Sequence, residues 1–260
     1  MILALDIDNT AITVGGFDEE RIRFTSEVST NYLRTAMEYA VMLKSILDIH
    51  RVDPAQIEGG IIASVVPGLN NTFKEVFRLL TDVNPFIVGP GLKTGVNISI
   101  GDPGELGAGL VVSAAAAQEK YEAPMIIIDL GTATTFSVMN RKKEFIGVVI
   151  YPGVLLSFNA LTKNTAQLPQ IPFDRPGKVI GDSSQESMQS GMIFGNAALI
   201  DGVIDRIEEE LGEPCTVVAT GMERLCGHII PYCRHRIRID TDLPMAGLRS
   251  IYYRNTKRRK

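Results

Sequence analysis

Two stretches of the chain share one pattern of apolar and polar positions. ILALDIDNTAIT (residues 2–13) and MIIIDLGTATTF (residues 125–136) each read as four apolar residues, an aspartate, an apolar residue, a turn-prone position and a Thr-rich return. Each predicts a buried strand that ends at a carboxylate and folds back as a hairpin. The 123-residue offset predicts two related α/β domains, 1–117 and 118–260, with a cleft lined by both turns.

The remaining pattern fits that plan. A charged segment follows the first hairpin, and apolar residues at helical spacing predict a helix around Tyr32–Leu47. GGIIASVVPG (59–68) reads as a buried strand and turn, Asn70–Leu80 as a helix, and PFIVGPG (85–91) as a short strand stopped by Gly and Pro. The Ala-rich stretch 104–121 predicts a helix joining the halves. FIGVVIYPG (145–153) extends the second sheet, a helix begins over Leu155–Leu161, and 165–184 is a Pro- and Gly-punctuated excursion. Residues 187–212 predict one long helix closed by Gly212, and TVVATG (216–221) another buried strand. Strands alternating with helices imply a largely parallel sheet outside the hairpins.

Composition narrows the function. A chain of 260 residues, 45% hydrophobic, is large enough to bury one sizeable core or two modest ones. Its net charge of −4 gives no field for a nucleic-acid partner, and the basic end KRRK reads as a solvated tail. No apolar run has the length of a membrane span, and no leader opens the chain, so a cytoplasmic protein is expected. Cys215, Cys226 and Cys233 make an odd count, which suits a reducing compartment. Cys226 with His228 and Cys233 with His235 have the atoms for zinc, but their two-residue gaps match none of the common ligand spacings.

Asp6, Asp8 and Thr10 spell D-x-D-x-T after an apolar strand, which resembles the first motif of the haloacid dehalogenase superfamily. There the first Asp attacks phosphorus and the second protonates the leaving oxygen. The second copy argues against this, because Asp129 is followed by Gly131 and Thr132 with no second carboxylate. A nucleotide clasp needs the motif twice: tight turns present N–H groups and hydroxyls to phosphates, and a strand-end carboxylate holds Mg²⁺ or its waters.

The order and spacing of further pieces carry a family resemblance. DIDNT (6–10), SVVPG (64–68), GPGLKTG (89–95), ELGA (105–108), DLGTATTF (129–136), YPGV (151–154), ESMQSG (186–191), ATG (219–221) and GLRSIYYRN (247–255) together resemble the type III pantothenate kinases. That resemblance implies two actin-like ATPase (ribonuclease H-like) domains around a nucleotide cleft. It also implies a homodimer, and transfer of the ATP γ-phosphoryl group to pantothenate, the entry step of coenzyme A synthesis. On it, Asp6 holds Mg²⁺ through water and acts in catalysis, while Ile7, Asp8, Asn9, Thr10, Ala11, Ile12 and Thr13 surround the phosphates with Thr132. Asp129 matches the position of a monovalent cation, K⁺ or NH₄⁺. Gly107, Ala108, Gly109, Leu110 and Ser184 fall at the acceptor.

The chain departs from the family where the acceptor is activated. Relatives carry Gly-Ala-Asp-Arg, with Asp as base and Arg on the acceptor; this chain has Gly107-Ala108-Gly109-Leu110. Asp8 replaces a Gly, Ile100 a Tyr, Ser137 an Asp and Met222 a Gly. Two alternatives follow: a catalytically impaired, nucleotide-binding paralogue with a regulatory role, or a kinase for a more apolar hydroxy acid.

Overall fold

The computed structural model describes residues 1–256; the KRRK tail lies outside the described residues. In chain order the first half contains β1 (Ile2–Ile7), β2 (Ala11–Phe17), β3 (Ile22–Ser29), α1 (Ala36–Ile49), β4 (Gly59–Ser64), α2 (Pro67–Leu80), β5 (Phe86–Ile87), β6 (Asn97–Ile98) and α3 (Ala108–Lys120). The second contains β7 (Met125–Leu130), β8 (Ala133–Met139), β9 (Glu144–Pro152), α4 (Val154–Lys163), α5 (Ser184–Ser190), α6 (Asn196–Leu211), β10 (Thr216–Gly221), α7 (Glu223–Ile229), β11 (Ile237–Ile239) and α8 (Leu243–Thr256).

The sheets repeat one another. The first has the order β3-β2-β1-β4-β5; the second runs β9-β8-β7-β10-β11 with β6 added beside β9. In both, the first strand is antiparallel to the second and parallel to the fourth. The repeat read from the sequence is therefore a repeat of topology. It also slips: Ile2 of β1 and Met125 of β7 are 123 apart, whereas Ala11 of β2 and Ala133 of β8 are 122 apart. The second bend is one residue shorter.

β1 is buried on both faces, and alternation assigns them. Leu3, Leu5 and Ile7 enter a core with Tyr39, Leu43 and Leu47 of α1 and Phe73, Val76 and Phe77 of α2. Ile2 and Ala4 face the other way, into a core with Val112 and Ala115 of α3 and Leu248, Ile251 and Tyr252 of α8. Asp6 belongs to this second face. β7 alternates likewise: Ile126, Ile128 and Leu130 join a core with Ile200 and Ile204 of α6 and Leu225 of α7, which leaves Asp129 on the opposite face.

The division of the chain differs from the boundary expected at 117/118. One unit comprises Met1–Val96, Gly101–Glu119 and the segment from Asp242 onward; the other comprises Asn97–Ile100 and Lys120–Thr241. The C-terminal segment returns because α8 presents Met245, Leu248 and Ile251 to the β1 face. At Gly247 a Cβ would run into the Val112 carbonyl oxygen of α3, so the two helices meet through bare backbone. Gly247→Ala is expected to cost about 1–3 kcal/mol by overpacking, read as a lowered midpoint in urea.

Several elements differ from the expected ones, each for a local reason. The helix expected from Tyr32 starts at Ala36, where Thr35 and Glu38 form a capping box. That expected from Asn70 starts at Pro67, a residue preorganised for the first helical position. The Ala-rich helix begins at Ala108 rather than Gly104. The charged segment after the first hairpin is β3, whose charges occupy its exposed side. The long helix expected over 187–212 is α5 and α6 joined by a π-helical turn at Gly191–Gly195, and Gly212 closes it at φ 72°. Among the described residues no helix is long and apolar enough to cross a membrane.

Candidate active site

The first hairpin assembles a polar row. Cross-strand partners share a sheet face, and Asp6 pairs with Thr13 of β2 and Ala63 of β4, while Thr13 pairs with Glu27 of β3. Asp6 is 7% exposed, so its carboxylate is set in the sheet, whereas Asp8, Asn9 and Thr10 form an exposed bend closed by the Asp8 N–H on the Ala11 carbonyl at 2.9 Å. Ile7 and Ile12 point into the core, so their contribution to any phosphate contact is through backbone.

Asp8 is the charged member of this bend. Although the residue is exposed, protein atoms crowd its carboxyl; this burial first, and the Glu27 charge second, push its pKa up. A carboxyl whose folded pKa is raised loses stability as pH rises through that pKa, and contributes nothing where it is protonated in both states. Asp8→Asn is therefore expected to raise Tm at pH 7, with the difference shrinking as pH falls toward 4.

The second hairpin assembles a different row. Asp129 pairs with Thr135 of β8 and with Thr220 of β10. Thr135 and Thr220 are 8% and 0% exposed, and neither hydroxyl has a hydrogen-bond partner among the described residues. Gly221, at φ 101°, follows Thr220; a Cβ there would stand 2.5 Å from Asp129 Oδ1, so only glycine lets β10 end against this carboxylate. Thr132 sits in the bend, where its carbonyl accepts the Gly153 N–H at 3.1 Å. Thr135, Thr220 and Gly221 escaped the sequence reading; the ATG motif at 219–221 held the signal, but the pairing of β10 with β7 gives it meaning.

Gly107, Ala108, Gly109 and Leu110 form the start of α3, all half-buried. They lie near the end of β1: the Val65 N–H donates to the Ile7 carbonyl at 3.0 Å, and Val65 Cγ1 is 3.6 Å from where a Gly107 Cβ would stand. A Cβ on Gly109 meets nothing within 4 Å. Ser184 opens α5 and lines a cavity of about 600 Å³ in the other unit. Its lining includes apolar Val154, Phe158, Leu161, Met188 and Met192 and polar Ser183, Ser184 and Asn196.

The cysteines and histidines are engaged elsewhere. Cys226 Sγ faces the Thr220 carbonyl at 3.3 Å, Cys233 Sγ the Ile229 carbonyl at 3.8 Å, His228 Nδ1 the Arg224 carbonyl and His235 Nε2 the Asp205 carboxylate. Burial, with the charge of Asp129 behind it for Cys226 and of Asp201 for Cys233, pushes both thiols up to about 12. Among the described residues no three His, Cys, Asp or Glu side chains come together as a metal-binding group.

Twin sheets of one order, each with an aspartate near the end of its first strand, make a mixed α/β fold similar to that of the actin- and sugar-kinase-like class. Solved structures share it: an inorganic polyphosphate/ATP-glucomannokinase from Arthrobacter sp. strain KM has a TM-score of 0.51 at 14% identity, covering 99% of this chain and 98% of its own. Component A of (R)-2-hydroxyglutaryl-CoA dehydratase from Acidaminococcus fermentans has 0.57 at 11%, covering 98% of both chains. At such identities the likeness is one of fold alone. The sequence goes further: the profile described as Type III pantothenate kinase matches residues 2–206. Proteins of that name from Exiguobacterium sp. strain AT1b and Anaeromyxobacter sp. strain K are each 37% identical, over 99% and 98% of this chain and 100% of theirs. One from Myxococcus xanthus is 36% identical over 98% of this chain and 99% of its own. The chain belongs to the type III pantothenate kinase family.

Proposed function

We propose that this protein transfers the γ-phosphoryl group of ATP to pantothenate, giving 4'-phosphopantothenate, the first step of coenzyme A synthesis. The observation that carries the reading is the full-length identity of 36–37% to proteins named for that reaction. The β- and γ-phosphates of ATP lie against the bend at Asp8–Ala11, with the Asn9 and Thr10 side chains beside them and Thr132 adding a hydroxyl to the nucleotide. Asp6 holds the Mg²⁺ that arrives with ATP, through water; an all-oxygen surrounding is what that ion takes. Magnesium supplies charge neutralisation on the phosphates.

The residues around Asp129 fit a monovalent cation such as K⁺ or NH₄⁺. The donor set is entirely oxygen, and two buried hydroxyls, Thr135 Oγ1 and Thr220 Oγ1, are left without a partner among the described residues. Buried polar atoms of that kind are costly unless something satisfies them. Ser184 brings a hydroxyl to the acceptor. Phosphoryl transfer asks the protein for positioning, charge neutralisation and a base for the acceptor hydroxyl; Gly109 has no side chain for the last. Self-association as a homodimer is supported by exposed apolar residues of β9, α4 and the following excursion, including Ile150 at 65% and Ile180 at 84%.

Gly109 and Leu110 favour a second reading, a nucleotide-binding protein with little or no turnover. The apolar residues lining the cavity beside Ser184 favour an acceptor more apolar than pantothenate. A coupled assay with ATP, Mg²⁺, K⁺ and pantothenate is expected to show acceptor-dependent ADP release. Silence at millimolar substrate rejects the kinase reading, and release with an apolar hydroxy acid alone redirects it.

A further inference from the structure

The bend after β1 is held from one side by the chain that leaves β3. The Thr30 hydroxyl donates to the Asp8 carbonyl at 2.6 Å, and the Thr30 N–H donates to the Thr10 carbonyl at 3.0 Å. The Tyr32 hydroxyl is shared between the Asn9 carbonyl at 3.3 Å and Asn9 Oδ1 at 3.0 Å. Three successive carbonyls therefore turn toward Thr30 and Tyr32. In a trans peptide the carbonyl and the next N–H point in opposite directions. The N–H groups of Asn9, Thr10 and Ala11 accordingly turn to the far side, and successive N–H groups on one side form an anion-binding concavity.

This brace is itself anchored in the core. Tyr39, with no exposed surface, donates its hydroxyl to the Asn31 carbonyl at 2.8 Å and accepts the Asn31 N–H at 2.9 Å. Its ring lies 4.6 Å from that of Phe73. Asn31 Oδ1 in turn accepts the Leu33 N–H at 2.9 Å, and the capping box at Thr35 fixes where α1 begins. Core packing does not account for Tyr32, whose side of the arrangement is open: the residue is 56% exposed, and its hydroxyl is spent on Asn9.

We infer that Thr30 and Tyr32 are positioning residues for the triphosphate: by occupying the carbonyls of the bend they aim its N–H groups at the phosphates. This rests on the reading that the bend at Asp8–Ala11 holds the phosphates of ATP. Tyr32 also fixes the Asn9 amide, so that its Nδ2 is the end left to face a ligand.

Thr30→Val and Tyr32→Phe remove one hydroxyl each and keep the shape. In calorimetric titrations of the full chain, each variant is expected to bind Mg·ATP about three- to tenfold more weakly, the loss of one hydrogen bond, while adenosine binds as in the wild type. Thr30→Ser should restore Mg·ATP affinity. Wild-type Mg·ATP affinity in both variants, or an equal loss for adenosine, overturns the inference. A wild type that binds Mg·ATP no better than adenosine overturns the phosphate reading and the inference with it. Tyr32→Phe keeps the test decisive if Thr30→Val does not fold, because Tyr32 lies largely in solvent.

Discussion

Replacing Gly109→Asp together with Leu110→Arg raises kcat/KM for pantothenate about 10²–10⁴-fold, the usual worth of a positioned general base. The structure makes room for the change. A Cβ at Gly109 meets no atom within 4 Å, and α3 has no acidic residue in its first turn. A carboxylate there faces the positive end of the helix dipole, worth about 0.3–1 kcal/mol, and leaving glycine behind in a helix gains roughly as much again. The variant should therefore gain activity without losing stability. The arginine adds a charged hydrogen bond to the acceptor, about 1.5–3 kcal/mol. Steady-state kinetics of wild type and variant side by side decide the matter. Equal rates would mean that another group already takes the hydroxyl proton and that this position has lost its family role.

Asp6→Asn lowers Mg·ATP-dependent turnover by at least about 10²-fold, the scale of removing one electrostatic stabiliser of a developing charge. The substitution keeps the shape of a side chain that is 7% exposed and keeps its row with Thr13 and Ala63. It takes away the charge proposed to hold the metal. The loss should appear in kcat and in Mg·ATP affinity, while pantothenate KM and the thermal midpoint move little. If turnover persists within threefold, Asp6 is a packing residue of the sheet and the phosphates are held by the bend alone.

How much of this was legible in the sequence varies by residue. The carboxylate-tipped strands were, because four apolar residues before Asp6 and Asp129 mark strands buried on both faces, and both faces are filled. β3 was hidden by its charges: Arg23 and Glu27 sit on the solvent side of a strand whose Phe24 is buried, so composition masked an alternation. The π-helical turn at Gly191–Gly195 was hidden because one added residue shifts the phase of an apolar pattern without breaking it. The return of α8 to the β1 face, and the meeting of Thr135 and Thr220 beside Asp129, were not readable at all. Both depend on partners far apart in the chain, which no local pattern specifies.

The bend after β7 is one residue shorter than the bend after β1, and this makes the two halves chemically unlike despite their common plan. A longer bend has one more amide dipole to aim, while a shorter one hands the same place to threonine oxygens on its flanking strands. On the roles proposed above, the two copies divide labour by sign: one bend faces negative charge, its counterpart positive. On the same proposal, transplanting either bend into the other copy would exchange a seat for an anion with a seat for a cation.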